Sequence, residues 1–237
     1  MARGVLVTGG SGALGREMVR RFRSAGDNVV FTYRSNAEAA RDLVAETGAH
    51  AVRAELTDAA EVRAAVAEAL EAMGGIHVLV NNASMTQVMP FALIEEEDWD
   101  NIIAANLKSM FLVTREAARD MVARRSGVIV NLGSIAGHRL LEVPVHYATA
   151  KAGVMGFTTS LAAEFARYGI RVNTVVPGLL ESGISRHVPA EQLEHYMSHC
   201  LAGRPGRMAE VADLVHYLAS DSAAYVNAQH IFIDGGL

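Results

Sequence analysis

The chain of 237 residues contains one cysteine, Cys200, so an intramolecular disulfide is impossible. Structural disulfides belong to oxidising compartments, and their absence favours a reducing, cytoplasmic setting. The sequence also lacks an apolar run long enough to cross a bilayer, which predicts a protein that does not span the membrane. Basic residues do not outweigh the acidic ones: the formal net charge is −5, and only Lys108 and Lys151 are lysines. This balance gives no electrostatic basis for binding nucleic acid or an anionic membrane surface.

Short apolar runs alternate with longer amphipathic segments along the chain. Strands are predicted at Val5–Val7, Val29–Tyr33, Ala51–Ala54, Val78–Val80, Val128–Leu132, Arg171–Val176 and Ile231–Ile233, and helices at Leu14–Ala25, Ala37–Glu46, Ala59–Met73, Trp99–Arg124, Tyr147–Tyr168 and Glu210–Ala219. Uniformly apolar strands separated by helices indicate a parallel sheet covered on both faces. Right-handed crossovers then give the α/β class, with one doubly wound sheet (a Rossmann fold) and helices on both faces. No linker or repeat divides residues 1–237, which predicts a single domain.

A glycine-rich turn follows the first predicted strand and opens the first helix. Residues 8–15 read Thr-Gly-Gly-Ser-Gly-Ala-Leu-Gly. Glycines let the backbone approach a pyrophosphate closely, and the helix N-terminus offers free N–H groups to the phosphates. We therefore predict a dinucleotide site whose contacts include Gly9, Ser11, Gly12, Ala13 and Leu14. The alternative is an ordinary glycine-rich turn, since the motif alone is weak.

The end of the second predicted strand indicates which dinucleotide binds. A carboxylate there would hold the ribose 2′-hydroxyl of NAD, but this chain has Arg34 followed by Ser35. The forked guanidinium of Arg34 can form a charge-assisted pair with a 2′-phosphate. This position predicts NADP(H) rather than NAD, and the alternative is a solvated surface arginine.

Tyr147 and Lys151 begin a predicted long helix and lie four residues apart, on one helical face. A free tyrosine has a pKa near 10, and a neighbouring ammonium favours the phenolate. Such a tyrosine can donate a proton to a carbonyl oxygen while hydride reaches the carbon, and Ser134, at the end of another strand, could hydrogen-bond the same oxygen. The alternative is a core tyrosine beside a surface lysine.

Taken together, these motifs resemble the short-chain dehydrogenase/reductase family over essentially the whole chain, in order and spacing. The matching features are the glycine turn, Asn81-Asn82-Ala83, Ser134, Tyr147, Lys151 and Pro177-Gly178. The chain is most similar to the 3-oxoacyl-(acyl-carrier-protein) reductases of that family, through residues 179–182, the Gly-Arg near residue 203 and residues 218–225.

The resemblance implies a role for each matching position. Tyr147 would be the general acid, Lys151 would lower its pKa and hold the nicotinamide ribose, and Ser134 would orient the carbonyl. Asn106 would support a water chain from the lysine to solvent. Further cofactor contacts would come from Glu55, Leu56, Asn82, Ala83, Ser84, Tyr147, Lys151, Pro177, Gly178, Leu180 and Ser182. The implied reaction is NADPH-dependent reduction of a 3-oxoacyl thioester, bound to acyl carrier protein or coenzyme A.

Four departures from the family pattern matter. Ala13 replaces the middle glycine of the turn, which is tolerable if its φ is negative. Glu55 stands where the family has Asp or Asn beside the adenine, and Ser84 replaces a glycine near the nicotinamide. Residues 138–143 replace a loop of small residues beside the substrate, so the substrate stays open: a polyketide-like or other secondary-metabolite ketone is the second hypothesis. A non-catalytic NADP sensor is the third, although a sensor has no reason to keep the catalytic residues together.

Four more expectations concern assembly, docking, a substrate lid and metal. Surplus apolar residues on the two long helices predict a homotetramer or a dimer. Arg124 and Arg125, with Arg167 beside Tyr168, are candidates for docking an acidic carrier protein; solvated helix ends are the alternative. Residues 179–203 match a mobile substrate lid. Within them, His195 and His199 have ligand spacing, with His187 and Cys200 nearby, but the family needs no metal and none is predicted.

Overall fold

The computed structural model describes residues 2–183 and 190–237, and its centre is a seven-stranded sheet in which every pairing is parallel. The strand order is β3-β2-β1-β4-β5-β6-β7. The strands are β1 (Gly4–Val7), β2 (Asn28–Tyr33), β3 (His50–Arg53), β4 (Val78–Asn81), β5 (Gly127–Leu132), β6 (Ile170–Pro177) and β7 (His230–Ile233). The predicted doubly wound parallel sheet is confirmed, and its order reverses between β1 and β4.

Helices cover both faces of this sheet. They are α1 (Ala13–Ser24), α2 (Ala37–Thr47), α3 (Ala59–Met73), α4 (Glu96–Ile103), α5 (Ser109–Arg124), α6 (Val145–Phe165), α7 (Ala190–His199) and α8 (Met208–Leu218). In the described ranges, none of them is both long and apolar enough to cross a membrane.

Successive side chains of a strand supply two separate cores, because they point to opposite faces of the sheet. Val5 and Val7 of β1 pack with α1, α2 and α8, whereas Leu6 between them packs with α3, α5 and α6. All three are almost completely buried. Burial on both faces explains why the strands are uniformly apolar rather than alternating.

A π turn interrupts the long helix predicted for residues 99–124. Helix α4 runs into residues 104–108, whose wider turn leads directly into α5. Ser109 N donates to the carbonyl of Ala104, five residues earlier. The wider spacing changes which N–H group each backbone carbonyl accepts from. Two carbonyls of this region also accept from side chains: Asn106 Nδ2 donates to Ile102 O at 2.9 Å, and Ser109 Oγ donates to Ala105 O at 2.7 Å. Such turns often occur at functional sites, and here the turn contains Asn106.

Polar side chains link the carboxyl ends of β4, β5 and β6 inside the protein. Asn81 Nδ2 donates to Asn131 Oδ1 at 2.8 Å and to Thr114 Oγ1 on α5 at 2.9 Å. Asn131 Nδ2 in turn donates to Thr158 Oγ1 on α6 at 2.8 Å, and Thr174 Oγ1 donates to the same hydroxyl at 2.7 Å. We call these five residues the polar ladder. Because the ladder joins α5 and α6 to three strands, it fixes where α6 lies over the sheet.

Candidate active site

A cleft of about 1590 Å³ opens along the carboxyl edge of the sheet, across the point where the strand order reverses. Loops that follow β1, β2, β3, β4, β5 and β6 line it. In doubly wound sheets, ligands bind at this location. The cleft brings together all but one of the site residues predicted from the sequence. The exception, Asn106, is completely buried behind it. The residues that line the cleft are Gly9, Ser11, Gly12, Ala13, Leu14, Arg34, Ser35, Glu55, Leu56, Asn82, Ala83, Ser84, Ser134, Tyr147, Lys151, Pro177, Gly178, Leu180 and Ser182.

Thr8 and Asn82 hold the glycine turn against the end of β4. Thr8 Oγ1 accepts hydrogen bonds from the backbone N–H groups of Asn82 and Ala83, at 2.9 and 3.0 Å. Asn82 Nδ2 donates to the carbonyls of Thr8 and Gly9. Gly9 has a φ of +66°, and a Cβ there would lie 2.9 Å from Ala83 Cα, so this position requires glycine.

The N-terminus of α1 faces the cleft without a side-chain cap. Gly12 is the N-cap residue with extended backbone, and no acidic residue occupies the first turn. Its free N–H groups and the positive end of the helix dipole suit a pyrophosphate. Ala13 begins the helix with a right-handed conformation, so its methyl group causes no backbone strain there.

Arg34 and Glu55 lie at the end of the cleft formed by the loops after β2 and β3. The Arg34 side chain is 60% exposed, and its Nη1 lies 3.8 Å from Glu55 Oε2. Glu55 Oε1 accepts from both the backbone N–H and the hydroxyl of Thr57. The Glu55 carboxylate therefore already contacts protein groups through both oxygens, whereas the exposed Arg34 guanidinium can reach an anion in the cleft.

The Tyr147 hydroxyl forms hydrogen bonds with two serine hydroxyls at the inner end of the cleft. These belong to Ser134, after β5, and to Ser84, after β4. Burial raises the pKa of Tyr147 above its ordinary value, and the two hydrogen bonds act in the opposite direction. Tyr147 is therefore protonated at neutral pH, as a proton donor must be.

Lys151 lies one turn further along α6 and is almost completely buried. Its Nζ donates to the carbonyl of Leu132 at 3.0 Å and lies 5.8 Å from the centre of the Tyr147 ring. Burial lowers the pKa of Lys151 to about 8. A buried, polar-bonded lysine beside a tyrosine is typical of a functional site, because a charge in this position costs stability.

Asn106 connects the π turn to the loop after β4. Its Nδ2 donates to Met85 O at 2.8 Å, and its Oδ1 accepts from Met85 N at 3.2 Å and from Ser84 Oγ at 2.5 Å. These partners fix the amide orientation, with the oxygen toward Ser84. The structure thus places Asn106 beside the tyrosine through a serine that has no counterpart in the family pattern.

Most of the segment predicted to lie beside the substrate, residues 138–143, lines the cleft. Residues 139–143 line the cleft, and Arg139 Nη2 pairs with Asp234 Oδ2 at 3.1 Å while its guanidinium lies 4.9 Å from the centre of the Phe232 ring. Leu140 is fully exposed. The sequence pattern did not predict the Arg139–Asp234 pair, because 95 residues separate its members.

Helix α7 adds a residue to the cleft that the sequence pattern did not predict. Tyr196 lines the cleft, and its hydroxyl accepts from Leu179 N at 3.0 Å and donates to Asp234 O at 3.3 Å. Residues 184–189 of the predicted lid, including His187, lie outside the described part of the chain, as does the side chain of His195. Among the described residues, no group of three or more His, Cys, Asp or Glu side chains could hold a metal ion.

The fold and the cleft define a dinucleotide-dependent oxidoreductase built on a doubly wound sheet. The chain belongs to the short-chain dehydrogenase/reductase family: a family model described as "Enoyl-(Acyl carrier protein) reductase" matches residues 10–237. As a member of this family, it binds a nicotinamide cofactor, and the cleft fits one because it combines an uncapped helix N-terminus, a glycine turn and an exposed arginine.

Several characterised proteins and solved structures are similar over the full length. The 3-oxoacyl-(acyl-carrier-protein) reductase FabG of Staphylococcus aureus is 36% identical, over 100% of this chain and 98% of its own length. Nodulation protein G of a Rhizobium species is 37% identical, over 99% and 96%. The crystal structure of a putative short-chain alcohol dehydrogenase from Sinorhizobium meliloti has a TM-score of 0.93 at 31% identity, covering 100% of this chain and 96% of the other.

Proposed function

We propose that the protein is an NADPH-dependent carbonyl reductase that converts a 3-oxoacyl thioester, carried by acyl carrier protein or coenzyme A, to the 3-hydroxyacyl product. One observation carries this proposal: a buried, protonated tyrosine shares hydrogen bonds with a strand-end serine inside a cleft that suits a dinucleotide. The similarity to 3-oxoacyl-(acyl-carrier-protein) reductases supports the substrate class.

In this proposal, Ser134 donates a hydrogen bond to the carbonyl oxygen of the substrate and orients it beside Tyr147. The O–H bond of Tyr147 breaks as its proton moves to that oxygen, and the tyrosine becomes a phenolate. Lys151, held by the carbonyl of Leu132, places positive charge beside the phenolate and holds the ribose hydroxyls. The nicotinamide cofactor, when bound, supplies the hydride to the carbonyl carbon.

The preference for NADPH rests on Arg34. Charge-assisted hydrogen bonds contribute about 1.5–3 kcal/mol, and partial exposure favours the lower end of that range. We expect Arg34→Ala to weaken NADPH binding about tenfold without weakening NADH binding. Arg41→Ala is the matched control, because Arg41 is exposed on α2 and does not line the cleft. Equal losses for the two cofactors would contradict the assignment.

Two exposed arginines favour docking of an acidic carrier. Arg125 and Arg167 flank the Tyr168 ring, at 5.8 and 5.0 Å from its centre. Arg124 instead forms internal contacts, because it pairs with Asp120 and donates to Ile76 O. The flanking pair lies at the amino ends of β5 and β6, opposite the cleft, so a carrier docked there would serve a neighbouring subunit. Arg125→Glu with Arg167→Glu should therefore raise KM for carrier-bound substrate alone; an equal rise for the coenzyme A thioester would refute docking.

An oligomer fits the surface of the long helices. Phe111 of α5 is 45% exposed beneath the guanidinium of Arg115, which lies 5.3 Å from its ring centre. Met155 and Phe157 of α6 are only partly buried. We propose that these helices pack against a second copy, in a tetramer or a dimer. Light scattering of the purified protein tests this, and a monomer at all concentrations would exclude it.

The direct test of the activity follows NADPH consumption with a 3-oxobutyryl thioester and, separately, with an unrelated cyclic ketone. Preferential turnover of the thioester supports the proposal. Preferential turnover of the cyclic ketone would support a secondary-metabolite reductase, in which residues 139–143 shape a different pocket. Tight NADPH binding without turnover of any ketone would support a non-catalytic sensor and overturn the proposal.

A further inference from the structure

The hydroxyl of Ser84 lies between two groups of the site, the Asn106 amide and the Tyr147 phenol. Its Oγ donates to Asn106 Oδ1 at 2.5 Å and also hydrogen-bonds the Tyr147 hydroxyl. Ser84 itself is exposed and lines the cleft. A serine hydroxyl carries a single proton, so it can donate to only one of these oxygens at a time.

Asn106 fixes which oxygen receives that proton while Tyr147 is neutral. Its Nδ2 donates to the carbonyls of Met85 and Ile102, at 2.8 and 2.9 Å, so the amide cannot be reversed without losing both bonds. The atom that faces Ser84 is therefore Oδ1, which can only accept. Ser84 must donate to Asn106 in this state, and its lone pairs remain available to the protonated Tyr147.

A phenolate at Tyr147 changes this preference, because it is the stronger acceptor. The hydroxyls of Ser134 and Ser84 both hydrogen-bond the Tyr147 oxygen, whereas Lys151 Nζ directs one of its three protons to Leu132 O and contributes positive charge. During the proposed reaction Ser134, which accepts from Ala136 N at 3.1 Å, serves the substrate oxygen, so Ser84 is the serine left to donate to the phenolate. Without substrate both serines can donate, and removal of the Ser84 hydroxyl takes away one of these two bonds.

We propose that Ser84 is a positioning residue for proton transfer: its hydroxyl donates to Asn106 Oδ1 while Tyr147 is protonated and turns to Tyr147 Oη when the phenolate forms. No covalent bond of Ser84 changes. The Tyr147 proton moves to the substrate oxygen, and the serine keeps its own proton but changes acceptor. The inference rests on the proposed function in assigning the proton transfer to Tyr147, but the hydrogen-bond change is measurable without substrate.

The other groups around Tyr147 stay constant when only Ser84 is changed. Lys151 lies on the same helix, 5.8 Å from the ring centre. His146 Nδ1 accepts from Tyr147 N, and Asp98 of α4 interacts electrostatically with His146. These side chains remain in every variant below, so a change in Tyr147 titration reports on the serine hydroxyl.

The test is a titration of Tyr147 in the protein without substrate or cofactor. Fluorotyrosine replaces all six tyrosines, which lowers their pKa values into a range where the protein stays folded, and fluorine NMR follows each one. The Tyr147→Phe protein identifies the signal. A hydrogen bond to a charged group is worth about 1.5 kcal/mol or more, so Ser84→Ala should raise the pKa of Tyr147 by about one unit. Ser84→Thr, which keeps a hydroxyl, should restore the wild-type pKa of Tyr147.

Ser109→Ala is the matched control, because Ser109 also lines the cleft and its hydroxyl donates to Ala105 O inside the π turn. This change loosens the turn without removing a partner of Tyr147, and it should leave the titration unchanged. An unchanged midpoint in Ser84→Ala, an equal shift in Ser109→Ala, or no recovery in Ser84→Thr would each overturn the proposal. Ser84→Gly provides a second hydroxyl-free variant if the alanine protein does not fold.

Turnover gives a second, separable readout. Oxidation of the 3-hydroxyacyl product requires the phenolate as base, so kcat rises with pH. In Ser84→Ala the midpoint of this increase in kcat should lie about one pH unit higher, while KM stays constant. If the wild-type protein turned over no ketone, the proposed function would fail while the NMR result would still stand, so the two failures are distinguishable. A parallel change in KM and kcat with no pH shift would indicate a purely structural serine.

Discussion

Removing the buried charge of Lys151 should stabilise the protein in a pH-dependent way while destroying its activity. Burial lowers the pKa of Lys151 from 10.5 to about 8, so the folded protein binds this proton less tightly than the unfolded chain. Below about pH 8 both states are protonated, and the full penalty of about 3 kcal/mol applies. Between about pH 8 and 10.5 the unfolded chain binds more protons, so this penalty falls and stability rises with pH.

The assay is urea unfolding of wild type and Lys151→Met at several pH values. The free energy of unfolding of the variant minus that of wild type should fall by about 2 to 3 kcal/mol between about pH 7 and 10. The carbonyl of Leu132 loses its donor in the variant, but this cost does not depend on pH. The other titrating groups contribute equally to the pH dependence of both proteins, so their contributions largely cancel in the difference.

Lys108→Met is the natural control, because Lys108 is the other lysine of the chain and is exposed. Its effect on stability should stay within about 0.5 kcal/mol at every pH. With only two lysines, carbon NMR of labelled side chains can also follow Lys151 directly, once Lys108→Met has identified its signal. A stability difference that does not change with pH would refute the lowered pKa of Lys151.

Three further predictions concern the ladder and the glycine turn. Asn131→Leu removes the hydrogen bonds to Asn81 and Thr158 of the polar ladder. It should therefore lower the free energy of unfolding, measured by urea titration, by about 2–4 kcal/mol. A decrease of less than about 0.5 kcal/mol would mean that the polar ladder contributes little to stability. Gly15→Ala places a Cβ 2.3 Å from Gly9 O and should weaken NADPH binding at least about tenfold in fluorescence titrations. The control is Gly156→Ala, which has open space around the new methyl group and should leave NADPH affinity unchanged. Equal NADPH affinities of the two variants would refute the crowding argument. Ala13→Gly should lower the free energy of unfolding, measured by thermal denaturation, by about 0.5–1 kcal/mol without altering cofactor affinity. Increased cofactor affinity would show that the methyl group obstructs the pyrophosphate.

The sequence predicted those parts of the fold that depend on local chemistry. Uniformly apolar strands such as Val5–Val7 are recognisable because burial on both faces selects the same residue types at every position. The glycine turn could be assigned because Gly9 has a positive φ that few other residues adopt. The i, i+4 spacing of Tyr147 and Lys151 places them on one helical face whatever surrounds them.

Features that depend on distant partners were not predictable in this way. The π turn at Asn106 is stabilised by contacts with Met85 and Ser84 on another loop, and no local pattern encodes it. The raised pKa of Tyr147 was also unexpected, because the tyrosine–lysine spacing alone suggested the opposite direction, whereas burial dominates in the structure. Helix α7 was not predicted, and the bond from its Tyr196 hydroxyl to Asp234 O joins residues 38 apart in the sequence.

The central claim, that Tyr147 donates the proton in a carbonyl reduction, is tested most directly by Tyr147→Phe assayed with NADPH and a 3-oxoacyl thioester. General acid catalysis contributes about 10²–10⁴-fold, so kcat/KM should fall by that factor while NADPH binding is retained. Tyr33→Phe, the same change at the far end of the cleft, should keep turnover. A Tyr147→Phe protein that reduces the thioester as fast as wild type would contradict the claim.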